Sequence, residues 1–316
     1  MNQSDPAAGL RGMRETQFIP CDAHEGCVWV AAQRRLYFSS TKNLDSPRVS
    51  MAYLDFSQHS LQAGTDITGL TAVTWRPVSN MANSFCLSND GQAFLVAEQG
   101  TRKTRAAITR IELQDQRRTV LFDRHREMPL NSPNKVIQTR AGHLILSDPD
   151  YGFRQGFRPP PILLPQLYVL PANGKPYAYR AGLEMPHGLA LSPDERTLFV
   201  TDTSADGAHG DLYLERRRRV YALDFDPQAG QILGNHRYCF ATEKGVPDGC
   251  FTTDKHLLVG GGDGVYVADL EGNLRGKIPL ERTAVNLAVV EGNLFVTADE
   301  GVYFIPDWEK HFPAAG

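Results

Sequence analysis

Six short segments of this 316-residue chain begin with a side chain that can ligate a cation or accept a hydrogen bond. They read Glu25-Gly-Cys-Val, Asn83-Ser-Phe-Cys, Asn134-Lys-Val-Ile, His187-Gly-Leu-Ala, Asp248-Gly-Cys-Phe and Asn286-Leu-Ala-Val. Two carboxylates, an imidazole and three amides make a mixed oxygen and nitrogen donor set. Converging on one volume, such groups could hold an ion or move a proton. Two residues after each polar residue stand Cys27, Phe85, Val136, Leu189, Cys250 and Ala288, all apolar. Positions i and i+2 of a strand share a face, so the pattern predicts a polar ring above an apolar plug. Buried charge is tolerated there only when paired or coordinated.

The elements that must carry these residues repeat. Eight to eleven residues downstream of each segment's first residue comes a regular apolar run: Leu36-Tyr-Phe-Ser39, Phe94-Leu-Val-Ala97, Leu144-Ile-Leu-Ser147, Leu198-Phe-Val-Thr201, Leu257-Leu-Val-Gly260 and Leu294-Phe-Val-Thr297. The six copies lie 37 to 59 residues apart, and a four-stranded propeller blade takes roughly 40–50 residues. The chain therefore reads as all-β, a six-bladed β-propeller with four-stranded antiparallel blades around a central channel. The innermost strand of each blade would line the channel and present the polar ring. Residues 1–19 read as an N-terminal extension and 20–316 as a single propeller domain. Asn89-Asp90-Gly91, Ser192-Pro-Asp194 and Glu271-Gly-Asn273 are hairpin chemistry. Gly156–Pro165, with three consecutive prolines, reads as an ordered loop over one face, and Ser204–Arg219 as an excursion within one blade.

The same residues resemble the gluconolactonase/regucalcin family of six-bladed propellers (the SMP-30 type), and within it the lactonohydrolases of fungal type. The matching stretches are His24-Glu25-Gly26, Leu130-Asn-Ser-Pro-Asn134, Ser147-Asp-Pro-Asp-Tyr-Gly152, Gln155-Gly-Phe-Arg-Pro-Pro-Pro161, Pro186-His-Gly-Leu-Ala-Leu-Ser-Pro-Asp194 with Val200-Thr-Asp-Thr203, Val246-Pro-Asp-Gly249 and Asn286-Leu-Ala. They run in the family's order from about residue 20 to 305. The resemblance implies a divalent ion in the channel, usually calcium, and hydrolysis of a lactone or related ester. It implies Glu25, Asn134 and Asp248 as ligands, with His187 standing where the family has an asparagine. Three readings of His187 stand side by side. It ligates a metal other than calcium, such as zinc, iron or manganese, because imidazole suits those ions better than a carbonyl oxygen does; it acts as acid or base beside an ion held by the others; or the metal is lost and the pocket repurposed. Lys135 replaces an aspartate common in the family, and alternation directs it away from the channel.

Under this reading Asp248 is the candidate general base or nucleophile, and His24 or His187 would return a proton to the leaving alkoxide. Asn83, Asn131, Tyr151, Phe157, Arg158 and Asn286 are candidate substrate contacts. A lone acidic residue at a strand start is most often a turn residue; recurrence at equivalent repeat positions is what raises Glu25 and Asp248 above that. Cys27 and Cys250 read as apolar filler, because their counterparts are Phe, Val, Leu and Ala. Glu98 and Arg102 read as a structural ion pair, and Asp148 and Asp202 as residues that fix turns through backbone hydrogen bonds. Gly260–Gly264 lacks the following Lys-Ser/Thr of a phosphate loop and reads as a hairpin. No Gly-x-Ser-x-Gly or His-Glu-x-x-His occurs.

The leading function is a metal-dependent lactonase acting on a sugar-derived or secondary-metabolite lactone. A second is another reaction in the same channel, phosphoester hydrolysis or a metal-poor rearrangement or cyclisation of a natural product; a third is a non-catalytic binding propeller. A net charge of -3 gives no electrostatic footprint for nucleic acid or an anionic membrane. The basic run Arg216–Arg219 reads as a solvated loop. Five cysteines without a Cys-x-x-Cys pair argue against a disulfide framework. With no apolar signal core near the start, a cytoplasmic location is expected.

Overall fold

The computed structural model describes residues 15–180, 182–204 and 218–312. β1 (Gln17–Ala23) leads into four strands that form the first blade, β2 (Val28–Val30), β3 (Arg35–Ser39), β4 (Val49–Asp55) and β5 (Val73–Ser79). The second blade is β6 (Ala82–Leu87), β7 (Ala93–Glu98), β8 (Ala107–Glu112) and β9 (Arg118–Phe122). A two-stranded ribbon, β10 (Arg124–His125) and β11 (Met128–Pro129), precedes the third blade, β12 (Val136–Gln138), β13 (Leu144–Asp148), β14 (Gln166–Leu170) and β15 (Tyr177–Tyr179). The fourth is β16 (Pro186–Leu191), β17 (Thr197–Thr203), β18 (Arg218–Asp226) and β19 (Gln231–Ala241). The fifth is β20 (Cys250–Thr252), β21 (His256–Gly261), β22 (Gly264–Asp269) and β23 (Leu274–Pro279). β24 (Asn286–Val290), β25 (Asn293–Thr297) and β26 (Asp299–Ile305) complete the sixth by pairing with β1. The chain is a six-bladed β-propeller.

β1 runs antiparallel to β26, with Ile19 opposite Val302. The ring is thus closed by a strand that begins at Gln17, inside the segment expected as an extension. Most of the Ser204–Arg219 excursion, including Arg216, lies outside the described residues, whereas Arg218 and Arg219 open β18.

The second strand of each blade is sandwiched between neighbouring blades, so it is apolar on both faces. β7 and β13 are buried at every residue, while β9, an outer strand, exposes four of its five. Hence the continuous Leu-x-Val runs rather than alternation. The apolar side chains form clusters that each lie between two adjacent blades, for instance Phe85 with Tyr37 and Phe94, or Val136 with Leu95 and Leu146. Asp148 accepts the backbone N–H groups of Asn131 and Ser132, and Asp202 those of Glu184, Met185 and Ser204, the turn-fixing role expected. Glu98 instead pairs with Arg118 at 2.6 Å, and Arg102 donates to the Gly156 carbonyl. The glycine run forms the β21–β22 hairpin, Gly261 facing Gly264.

Candidate functional site

Each polar residue of the proposed ring sits where an inner strand begins, and hydroxyls from the preceding blade fix several of them. Ser39, Ser147 and Thr201 sit at or near the ends of equivalent second strands. Ser39 donates to the backbone carbonyl of Asn83 at 3.0 Å, Ser147 to that of His187 at 2.6 Å and Thr201 to that of Asp248 at 2.7 Å. Glycine after the ring residue lets inner strands crowd together. A Cβ on Gly188 would stand 2.5 Å from the Asp248 carbonyl oxygen, and one on Gly249 would stand 2.6 Å from that of Val285. Nothing larger fits without moving backbone.

The side chains converge. Glu25 is 1% exposed, and its two carboxylate oxygens accept from Asn83 Nδ2 at 3.2 Å and Asn286 Nδ2 at 2.6 Å. Two amides from the flanking blades thus hold a buried carboxylate in one orientation. His187 Nε2 shares a 2.9 Å hydrogen bond with the Asn134 side-chain amide and lies 3.8 Å from Glu25 Oε1. His187 Nδ1 faces Asp248 Oδ1 at 3.2 Å, but off the line a hydrogen bond requires, so this buried nitrogen makes none. Among the described residues, Glu25, His187 and Asp248 form the cluster whose ligand atoms all lie within 4.8 Å of one another. Burial pushes the His187 imidazole down to about 4, with Glu25 opposing the shift, so the ring is neutral with a lone pair to offer.

Other candidates take different places. Asn83 and Asn286 belong to the ring but brace Glu25. Tyr151 is buried, meets Thr203 through its hydroxyl and packs edge-on against His187, ring centroids 5.6 Å apart. Asn131 clips the proline loop, its side-chain amide donating to the Leu163 carbonyl. Arg158 is not a free substrate contact: its guanidinium donates to the backbone carbonyls of Asn131, Thr101, Thr104 and Leu130. Phe157, 3% exposed, is core between the first two blades rather than pocket wall. His24 stands at the rim with both nitrogens engaged, Nδ1 with Asp299 at 2.6 Å and Nε2 with Lys42 Nζ at 3.3 Å.

Lys42 and Asp299 had no place in the repeat pattern. Burial holds the Lys42 ammonium below its ordinary value, and Glu25, Asp248 and Asp299 act on it in the opposite sense. Both lie on connections or strands beyond the inner layer, where the repeat carries no signal. Lys135 overturns an expectation. It lines the channel below the ring, while Val136 is buried between blades. Asn134 N donates to Ser147 O, and Ser147 N donates to Lys135 O, so two residues oppose one and the alternation slips. The second and fourth blades show the same irregularity, between Ala82 and Phe85 and between Pro186 and Leu189.

Residues 23–300 match the family model described as the SMP-30/Gluconolactonase/LRE-like region. A gluconolactonase of Zymomonas mobilis is 29% identical over 205 residues, covering 62% of this chain and 54% of that protein. A lactonohydrolase of Aspergillus oryzae is 33% identical over 125 residues, covering 35% of this chain and 26% of that protein. The aligned stretches thus span about half of the bacterial relative's length and about a quarter of the fungal one's. Among solved structures, a gluconolactonase of Xanthomonas campestris is 28% identical, with a TM-score of 0.73 over 96% of this chain and 93% of that one.

Proposed function

The chain belongs to the SMP-30/gluconolactonase/LRE-like family, and from that premise we propose that it hydrolyses a lactone at the ring of Glu25, Asn134, His187 and Asp248. The observation that carries this reading is the convergence of one imidazole and two carboxylates from three blades, ligand atoms within 4.8 Å. The donor set fits a divalent cation. The imidazole lies between two carboxylates, Nε2 3.8 Å from Glu25 and Nδ1 3.2 Å from Asp248, and the buried Nδ1 makes no hydrogen bond, which is costly unless something occupies it. Glu25, Asp248, His187 and the Asn134 amide would hold the ion, and the imidazole nitrogen favours zinc, manganese or iron over calcium. Bound there, a cation would polarise the lactone carbonyl and stabilise the charge developing on its oxygen.

The chain's own groups supply the rest. The Asp248 side chain is the most exposed of the three, 16% against 2% for Glu25 and 8% for His187, so it faces the side from which water and substrate arrive. Asp248 therefore takes the proton of the attacking water. Glu25, locked by Asn83 and Asn286, is a fixed charge rather than a mobile base. His24 bonds to Asp299 and to Lys42, so a proton for the leaving alkoxide passes along Asp299, His24 and Lys42. The alkoxide stays tethered through the opened ring. The substrate is a small sugar-derived or secondary-metabolite lactone.

Asp248→Asn keeps the volume and removes the base. A fall in kcat of about 10²-fold or more, at unchanged melting temperature, is expected with glucono-δ-lactone and with an alkyl δ-lactone. Unaltered turnover of every lactone the wild type accepts would remove Asp248 from this role. Chelation should abolish turnover and one divalent ion restore it.

A further inference from the structure

Below the ring the channel opens into a cavity of about 440 Å³, within the size range of small-molecule sites. Its walls are apolar, among them Val28, Trp29, Leu87, Ile137 and Phe251. The exceptions are Thr252, whose hydroxyl is spent on the Leu191 carbonyl, and Lys135. This lysine lines the cavity at 8% exposure, and no hydrogen bond or ion pair to its ammonium occurs among the described residues. The ring carboxylate Glu25 already has an amide on each oxygen. None of the ring residues is among the cavity walls.

A buried cation without a partner costs free energy that an anion would return. The position makes the lysine more telling. The equivalent residue is Gly26, Ser84, Gly188, Gly249 or Leu287 in the other five blades, so only in the third does this position carry a charge. The thiols of Cys27, Cys86 and Cys250 line the same cavity. The thiols themselves do not gather closely enough to bind an ion with one another.

We propose that this cavity is a second binding site, for a monoanion with an apolar tail, an alkyl or aryl carboxylate whose head pairs with Lys135. One positive charge and no negative one on the walls set the ligand charge at minus one. The apolar lining excludes a polyhydroxylated acid, whose hydroxyls would be buried without partners. The site is therefore distinct in chemistry from a sugar-lactone site in the ring.

The test uses the full chain and two probes of one length, hexanoate and 1-hexanol. Binding is read by calorimetry and by the fluorescence of Trp29, which lines the cavity. Hexanoate should saturate the site and bind at least about tenfold more tightly than hexanol, the ratio expected of one charged hydrogen bond in an apolar wall. Lys135→Met should erase that preference while hexanol binding persists, and should raise the melting temperature. Asp248→Asn should leave hexanoate binding intact. Equal affinities for the two probes on the unaltered protein would overturn the proposal without any variant. Unchanged hexanoate binding in Lys135→Met, or its loss in Asp248→Asn, would do so as well.

Discussion

The hydroxyl of Ser147, near the end of the second strand of one blade, donates 2.6 Å to the backbone carbonyl of His187 in the next. The same oxygen accepts the backbone N–H of Lys135 at 3.1 Å. One side chain thereby fixes the start of two inner strands, and with them Asn134 and His187. Ser147→Ala leaves both backbone groups buried and unmatched. A loss of about 1–3 kcal/mol is expected, seen as a lower denaturation midpoint. Because the ring geometry depends on that bond, kcat should fall further than stability alone would explain. A variant that melts early but turns over normally would separate Ser147 from the site.

His187→Asn replaces a ring nitrogen by an amide oxygen, the kind of donor calcium prefers. Bound-metal analysis of protein purified from a medium containing both calcium and zinc should show the ratio move toward calcium. An unchanged metal profile would mean that the imidazole is no ligand, and would leave proton transfer as its role.

Asp148 gives the protein a pH-dependent stability with a definite sign. Burial pushes its carboxyl up to about 7, against the Asn131 and Ser132 N–H groups that favour the charged form. An aspartate in an unfolded chain titrates near pH 3.9. From about pH 4 to 7 the folded state holds a proton the unfolded state has lost, so this contribution is fully present at low pH and declines as pH rises. The full span is on the order of 4 kcal/mol at about 1.4 kcal/mol per unit. Melts across this range should show Asp148→Asn with a flatter pH dependence than the wild type; identical slopes would contradict the assignment.

All five cysteines are free thiols, and burial raises every one of them: Cys21, Cys27, Cys86 and Cys250 to about 12 and Cys239 to about 11. Thiolate is the reactive form. Iodoacetamide at pH 8 should therefore leave native protein unlabelled and active, while denatured chain labels fully. Rapid labelling of Cys27 or Cys250 with loss of turnover would revive a thiol chemistry beside Glu25 and Asp248.

Much of this was legible in the chain. Sandwiched second strands must be apolar on both faces, so Leu144–Ser147 and its counterparts stand out and count the blades. Polar residues at equivalent positions then point to the ring, and Asp148 and Asp202 to the turns. What escaped is what periodicity does not encode. The direction of Lys135 depends on a two-against-one pairing with Ser147, invisible unless both strands are known. His24 owes its partners to Lys42 and Asp299, one on a connection and the other at the start of β26. Arg158 looks like an anion contact by type, yet four backbone carbonyls claim its guanidinium. Phe157 follows the same logic, an aromatic in a loop that dives into the core.

Closure of the last blade by β1 has a consequence for biosynthesis. Glu25 follows β1 directly, and His24 bonds to Asp299 on β26. On a ribosome, His24 and Glu25 emerge long before Asp299 and must wait for it before either can settle. A nascent chain arrested before Asp299 would carry middle blades but an unclosed ring, so the proposed hydrolysis would require that β26 had been made.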